Sequence, residues 1–286
     1  APTEVLAAQH FKTFQQVFKG MPVKTAYLSG HTKAAERKEI LEQLKDGSIH
    51  ILIGTHALIE ENVVFSALGL VITDEQHRFG VKQRQALESK GKSPHVLIMT
   101  ATPIPRTMAL SVYGDLDVSF IKGMPPGRHP VKTYAVGSYM LQRIFRFMKK
   151  EMESGHQAYV VCPLVEQSEK QDLAAAVSVY ENLRDHVFPQ FGVGLVHGRM
   201  KNAEKEQVME DFRKGKFKLL VATSVIEVGV NVPDATVMFV YGADRFGLSQ
   251  LHQLRGRVGR GKEQAYCVLY TDNQNETTQL RMKLMC

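Results

Sequence analysis

An internal repeat is the feature of this sequence that most constrains its fold. The stretch that begins at Ser29-Gly30-His31 contains a polar helical pattern, an Asp-Gly turn, an apolar run and a threonine, and the same series begins again at His197. Matching positions are 168 residues apart without a gap, as in Gly30 and Gly198, Gly47 and Gly215, and Thr55 and Thr223. Repetition at a fixed spacing indicates that one structural unit occurs more than once. We therefore expect two copies of one α/β unit.

Ten apolar runs are predicted to form β-strands, with helices between most of them. The runs cover residues 24–28, 49–53, 70–73, 95–100, 131–136, 157–162, 193–197, 218–222, 236–241 and 265–270. Their apolar residues are continuous rather than alternating, which is typical of parallel strands buried on both faces. The predicted fold class is α/β, with parallel sheets flanked by helices.

A segment rich in proline and glycine is predicted to separate two domains. Residues 123–130 read GMPPGRHP and have no helical or strand periodicity. We expect a first domain at residues 1–124, a linker at 125–130 and a second domain at 131–286. The length of 286 residues and the 44% of hydrophobic residues suit two globular domains of ordinary size.

Composition narrows the class of partner. The net charge of +7 and the pI of 9.2 favour a polyanion such as nucleic acid. No apolar run approaches the roughly 18 residues that span a bilayer, and the first residues do not resemble a signal peptide. Cys162, Cys267 and Cys286 lack the C-x-x-C spacing of many metal sites. We therefore expect a cytoplasmic protein with reduced thiols and no membrane partner.

Asp74 and Glu75 are the first candidate catalytic residues. They follow an apolar strand, and open α/β sheets bind ligands at the carboxyl ends of their strands. Asp74 is predicted to hold Mg²⁺, through water, and Glu75 to position and deprotonate an attacking water molecule. The alternative is an acidic surface turn. Function is favoured because the pair follows a strand and an arginine motif is present at residues 253–260. The second copy of the repeat has Gly242 and Ala243 at these positions, so only one copy keeps the acidic pair.

Arg257 and Arg260 are the second candidate catalytic pair. They lie in the segment QLRGRVGR at residues 253–260, where Gly256 and Gly259 would let the backbone approach a ligand closely. Both guanidinium groups are expected on one side of a helical turn, within reach of a phosphate. A solvated basic turn and a nucleic-acid contact are the alternatives. An acidic pair in one copy and arginines in the other favour one nucleotide hydrolysed between two domains that open and close.

Hydroxyl groups at strand ends are candidate binding and coupling residues. Thr55 and Thr223, with Gly30 and Gly198, are expected to contact the phosphates of one nucleic-acid strand, although threonine is also a common helix cap. Thr100 and Thr102 end another buried strand and are expected to lie near Asp74 and sense the acidic pair. A helix cap before Pro103 is the alternative for these threonines, and it is compatible with the first role.

The glycine-rich phosphate loop G-x-x-x-x-G-K-[ST] is absent from the sequence. A relaxed match at residues 86–93 follows a predicted helix and precedes a strand, whereas a phosphate loop joins a strand to a helix N-terminus. The chain also starts without methionine and stops inside a predicted helix. We therefore expect a fragment of a longer enzyme that does not hydrolyse nucleotide alone.

Together, these motifs resemble the motor portion of the superfamily 2 helicases over nearly the whole chain. The similar segments are residues 1–6, 54–59, 74–81, 99–107, 222–233 and 253–260. The resemblance implies two tandem RecA-like domains, the first incomplete, that use ATP and Mg²⁺. It also implies a motor, monomeric in the intact protein, that moves on double-stranded DNA and remodels forked or branched DNA. Residues 113–117 and 125–128 favour the branch-migrating helicases over the transcription-repair coupling factors.

The resemblance also implies roles for individual residues. The nucleotide-binding residues would be Asp74, His77, Gly229 and Gln253, and the coupling residues Thr100, Ala101 and Thr102. The DNA-binding residues would be Pro2, Thr3, Gly54, Thr55, His197, Gly198, Arg199 and Thr223. Asn231 departs from the family pattern, which usually has aspartate there. A nucleic-acid-binding module that keeps this fold without hydrolysis is the alternative function.

Overall fold

The computed structural model describes residues 1–75, 79–100, 117–121, 123, 127–163, 169–223 and 232–286. Their contacts divide them into two compact units, the first with the described residues up to 100 and the second with those from 117 onward. The described part of the predicted linker at 125–130 is residues 127–130, so the domain boundary stays a prediction. No helix in the described ranges is long and apolar enough to cross a membrane.

In its described residues, the first unit contains two separate parallel strand pairs. Strand β1 (Thr25–Leu28) pairs with β2 (Ile51–Gly54), and β3 (Leu70–Thr73) pairs with β4 (His95–Ile98). The helices are α1 (Glu4–Val17), α2 (Ala34–Lys45), a 3-10 turn (His56–Ile59) and α3 (Val81–Glu88). The buried apolar residues of β1 and α2 pack together in one core. The end of β2 lies beside the end of β1, because Leu28 is opposite Gly54 in the strand pair.

The second unit is built on one six-stranded parallel sheet with the order β5-β10-β9-β6-β8-β7. Its strands are β5 (Lys132–Val136), β6 (Gln157–Cys162), β7 (Val193–Val196), β8 (Leu219–Thr223), β9 (Ala235–Val240) and β10 (Tyr266–Tyr270). Every residue of β6, β8 and β9 is buried. Burial on both faces explains why these strands are continuous apolar runs in the sequence.

Five α-helices accompany this sheet in the described ranges. They are α4 (Leu141–Glu153), α5 (Glu169–Asn182), α6 (Asn202–Arg213), α7 (Leu248–Arg255) and α8 (Glu276–Met285). Helix α4 packs its buried face, which includes Ile144 and Met148, into a cluster with β6, β8 and β9. Cys162 and Cys267 are buried and Cys286 is exposed, and all three thiols are free.

The repeat is visible in the bounds of the elements. Strand β7 and helix α6 each start and end 168 residues after β1 and α2, and β8 starts 168 residues after β2. The register repeats too, because Thr25 lies opposite Ile51 and Val193 lies opposite Leu219. Gly47 and Gly215 both adopt a left-handed backbone, with φ of 85° and 72°. The predicted α/β fold and all ten predicted strands are confirmed, with ends shifted by one or two residues.

Candidate active site and nucleic-acid interface

The acidic pair lies directly after β3, at the carboxyl end of the strand. Asp74 Oδ1 accepts a hydrogen bond from the backbone N–H of Glu75 at 2.9 Å. Glu75 itself has φ of 50°, a left-handed conformation that costs a non-glycine residue roughly 1–2 kcal/mol. Backbone strain of this kind clusters at functional sites. The geometry therefore supports the predicted catalytic position of Glu75.

His10 contacts the first of these carboxylates. Its Nε2 lies 3.2 Å from Asp74 Oδ2, which joins the middle of α1 to the end of β3. The hydrogen bond with His10 is the largest influence on the pKa of Asp74 and lowers it, while partial burial acts in the opposite direction. Asp74 is therefore ionised at neutral pH. His10 was missed from the sequence because no motif relates it to a residue 64 positions later.

The donor set around Asp74 fits a magnesium ion held mainly by water and substrate. Among the residues with described positions, no group of three or more His, Cys, Asp or Glu side chains could hold a metal ion by itself. Mg²⁺ usually keeps several waters and binds one or two carboxylates together with substrate phosphates. A single ionised carboxylate at the end of a strand is consistent with that mode. The predicted nucleotide contact His77 lies outside the described residues.

Thr100 lies at the same sheet edge as the acidic pair. Ile98 is opposite Thr73 in the β3–β4 pair, and Met99 N donates to Thr73 O at 2.9 Å. The segments that follow β3 and β4 therefore leave the sheet side by side. This placement agrees with the expected proximity of Thr100 to Asp74. The other two predicted coupling residues, Ala101 and Thr102, lie outside the described residues.

Arg257 and Arg260 follow a helix rather than lying in one. Helix α7, which carries Gln253, ends at Arg255, and the next residues form a turn. The expectation that both guanidinium groups share a helical turn is therefore wrong. Beyond the helix the backbone is left-handed at Gly259, with φ of 70°, and an added Cβ there would lie 3.0 Å from Ala265 Cβ.

A third arginine joins this pair in the second unit. Arg128 Nε donates to Gly259 O at 2.8 Å, and Arg260 Nε donates to Gly256 O at 3.3 Å. The pKa of Arg260 is lowered, first by burial and then by the positive charges of Arg257 and Arg128. Three neighbouring guanidinium groups repel one another, and an anionic ligand would offset that repulsion. Arg128 was not predicted as a site residue because only the fold brings it to Gly259.

The predicted DNA-binding residues of the first unit lie at the start of α1 and the end of β2. Thr3, preceded by Pro2, caps α1, with Leu6 N donating to its Oγ1 at 3.4 Å. Gly54 ends β2, where an added Cβ would lie 2.0 Å from the carbonyl oxygen of Leu28, so only glycine fits. Thr55 starts the 3-10 turn without a side-chain cap hydrogen bond. Its hydroxyl is therefore not explained by capping.

The corresponding residues of the second unit include two buried polar atoms. His197, Gly198 and Arg199 follow β7, and Thr223 ends the neighbouring strand β8. Thr223 Oγ1 and His197 Nδ1 are buried, and neither has a hydrogen-bond partner within the described part of the chain. The pKa of His197 is lowered, mainly by burial and then by the cations Lys205 and Arg199. Unpaired buried polar groups are rare in folded proteins, so these atoms mark a candidate ligand contact.

Two helicase families match separate parts of the chain. Residues 1–110 match the family described as DEAD/DEAH box helicase, and residues 139–262 match the helicase conserved C-terminal domain. The first match contains the acidic pair and the second contains the arginines. The remaining nucleotide-binding candidate, Gly229, lies in the second match but outside the described residues.

Curated relatives are similar over almost the entire chain. The ATP-dependent DNA helicase RecG of Bacillus subtilis (strain 168) is 54% identical over 99% of this chain and 42% of its own length. That of Thermotoga maritima is 49% identical over 99% of this chain and 36% of its own length. The chain therefore spans less than half the length of these relatives.

Solved structures of helicases are similar to this chain over almost its full length. A structure of RecG bound to a three-way DNA junction matches with a TM-score of 0.79 and 45% identity, over 99% of this chain and 37% of that one. Saccharomyces cerevisiae Dbp5 bound to RNA and ADP BeF3 matches with a TM-score of 0.68 at 12% identity, over 99% of this chain and 72% of that one. The second likeness shows the fold alone.

Proposed function

Because this chain belongs to the RecG group of superfamily 2 helicases, we propose that it is the motor portion of an ATP-dependent helicase acting on forked or branched DNA. The observation that carries this proposal is the ionised Asp74 beside the strained Glu75 at the end of β3. This pair lies in the part of the chain that matches the DEAD/DEAH box helicases. The intact protein would hydrolyse ATP, move on double-stranded DNA as a monomer and work in the cytoplasm, where bacterial DNA is found.

Each candidate residue has a distinct task in hydrolysis. When bound, Mg²⁺ supplies positive charge next to the phosphates of ATP. Asp74 would hold the ion through its ionised carboxylate, and Glu75 would orient the attacking water and accept its proton. Arg257 and Arg260 would neutralise the charge that develops on the transferred phosphoryl group, as expected of arginine fingers.

The strand-end residues would hold the DNA backbone. Thr223 and His197 carry buried polar atoms without described partners, and phosphate oxygens accept hydrogen bonds from hydroxyl and imidazole groups. Thr55 and Gly54 occupy the matching strand end in the first copy of the repeat. Contacts to the backbone position DNA without reading its sequence, which suits a motor that must move over any sequence.

The test is hydrolysis by the intact protein that contains this segment. Glu75→Gln should lower Mg²⁺-dependent, DNA-stimulated ATP hydrolysis by about 10²–10⁴-fold, which is the usual contribution of a general base. Nucleotide binding should be retained because the substitution keeps the shape of the side chain. Glu61→Gln, which removes the same charge from an exposed residue of the first unit, is the matched control.

The outcomes separate the two functions. Hydrolysis that survives in Glu75→Gln would show that this residue is not the base. An intact protein that binds forked DNA but hydrolyses no ATP would instead be a nucleic-acid-binding module. The isolated chain should show no hydrolysis above its own Glu75→Gln variant, with or without forked DNA.

A further inference from the structure

The outward face of helix α4 carries a row of basic residues, and an exposed aromatic ring lies in the turn just before the helix. Arg143, Arg146 and Lys150 are exposed and follow Tyr139 at intervals of four, three and four residues. This spacing places Arg143, Arg146 and Lys150 on one face of α4, and Tyr139 lies in the 3-10 turn (Ser138–Met140) directly before the helix. Tyr139 is 85% exposed, which is unusual for a large ring. We name these four residues the α4 stripe.

The packing of α4 fixes the direction of the stripe. Ile144, Met148 and Met152 are 6%, 0% and 2% exposed and join the core of the second unit. With 100° per residue, the centre of the stripe lies opposite the centre of these buried residues. The stripe therefore faces away from the sheet.

The cations of the stripe have no carboxylate partner among the described residues. The two carboxylates of α4 are engaged elsewhere: Glu151 Oε2 lies 3.0 Å from both His156 Nδ1 and Thr236 Oγ1, and Glu153 lies 3.9 Å from Lys149 Nζ. Arg143 and Arg146 are three residues apart, and Arg146 and Lys150 are four apart. Like charges at these spacings destabilise a helix. The negative charge of a polyanionic ligand would offset this repulsion and thereby favour binding.

A second group of cations in the same unit shows the opposite pattern. Lys214 and Lys216 lie 3.4 Å and 2.7 Å from the carboxylates of Glu210 and Asp211. Arg213 lies 2.7 Å from Glu210. This paired cluster has the same number of positive charges as the stripe, but its charge is largely neutralised within the chain.

We propose that the α4 stripe binds the phosphate backbone of duplex DNA, as a contact separate from the strand-end residues. From Arg143 to Lys150 helix α4 rises about 10 Å, at 1.5 Å per residue. Phosphates of one DNA strand follow one another at about 3.4 Å along the axis, so the stripe is long enough for several of them. The three cations supply charge, and the Tyr139 hydroxyl is placed to donate to a phosphate oxygen. The proposal rests on the proposed function in taking DNA as the partner.

The test is the salt dependence of duplex binding by this chain. Each neutralised phosphate contributes about 0.9 to the slope of log K against log salt concentration. The triple variant Arg143→Gln, Arg146→Gln, Lys150→Gln should therefore make this negative slope less steep by about 2.7. Between 50 and 200 mM salt, the loss of affinity should be about 40-fold smaller than in the wild type. Fluorescence anisotropy with a labelled blunt duplex measures both quantities.

The control variant Arg213→Gln, Lys214→Gln, Lys216→Gln removes the same charge from the paired cluster. It should leave the slope within about one contact of the wild-type value, and circular dichroism should show both variants folded. An unchanged slope in the stripe variant overturns the proposal, and so does an equal decrease in both variants, because that would reflect net charge alone. The hydrolysis test of Glu75→Gln is independent of the slope, so either proposal can fail while the other holds.

Discussion

The buried hydroxyl of Thr223 allows a test in which a substitution should stabilise the protein and weaken its binding. Thr223 is 1% exposed, and its Oγ1 has no hydrogen-bond partner within the described ranges. Thr236 on strand β9 of the same sheet is equally buried, but its Oγ1 donates to Glu151 Oε2 at 3.0 Å. Replacing each threonine with valine removes the hydroxyl and keeps the shape of the side chain.

The two substitutions should have opposite effects on stability. An unsatisfied buried polar group costs about 1–3 kcal/mol, so Thr223→Val should stabilise the second unit by roughly 1 kcal/mol. A hydrogen bond to a charged group contributes about 1.5–3 kcal/mol, so Thr236→Val should destabilise it by roughly 1–2 kcal/mol. One kcal/mol corresponds to about a fivefold change in the folded-to-unfolded ratio.

Native-state hydrogen exchange at the amides of β8 and β9 measures the free energy of unfolding of the second unit alone. Exchange should slow by about fivefold in Thr223→Val and accelerate in Thr236→Val. Duplex DNA binding should weaken in Thr223→Val because a donor to phosphate is lost. Faster exchange in both variants would mean that the Thr223 hydroxyl is satisfied in the folded protein. The interpretation of this hydroxyl as a ligand contact would then lose its basis.

Four further predictions concern single residues. Arg260→Ala should lower ATP turnover of the intact protein by about 10²-fold or more, with little effect on DNA affinity, and the reverse result would assign this arginine to DNA. The pKa of Glu210 is lowered to about 2, first by a hydrogen bond from Arg213. Its contribution to stability should therefore be complete above pH 4.5 and be lost as the pH falls toward 2. An NMR titration of Glu210 with a midpoint near 4.5 would contradict this. Gly54→Ala should destabilise the β1–β2 pair by about 1–3 kcal/mol, because the new Cβ would overlap the carbonyl oxygen of Leu28, and hydrogen exchange in these strands would reveal it. Only Cys286 should react with a thiol reagent in the native protein, with all three thiols reacting in denaturant, and rapid modification of a second thiol would show that a buried strand is accessible.

The strands and the repeat could be predicted because their signals are local. Strand β6 is a run of apolar residues since both of its faces are buried, and such a run is visible without knowledge of its neighbours. The acidic pair was found for a similar reason, because Asp74 and Glu75 follow an apolar strand directly. The similarity to helicases places these motifs in a family, but it gives no distances between residues.

Contacts between distant residues could not be predicted. His10 reaches Asp74 across 64 positions, and Arg128 reaches the backbone of Gly259 across 131 positions. Neither residue belongs to a motif with a fixed spacing. The expected helical turn at Arg257 was wrong because α7 ends at Arg255 and the backbone is left-handed at Gly259, where an added Cβ would lie 3.0 Å from Ala265 and 3.2 Å from Val131.

The amino-acid sequence was sufficient to predict the α/β class, the two copies of one unit and the positions of the acidic pair and the arginines. Each of these is written in residue type and spacing, because helices and strands bury apolar residues with fixed periods. Folding was needed to show that His10 lowers the pKa of Asp74, that Thr223 is buried without a described partner and that the cations of the α4 stripe have no carboxylate partner among the described residues. Charge, burial and hydrogen bonding depend on which side chains lie within a few ångströms, and the folded chain, not the order of its residues, sets those distances.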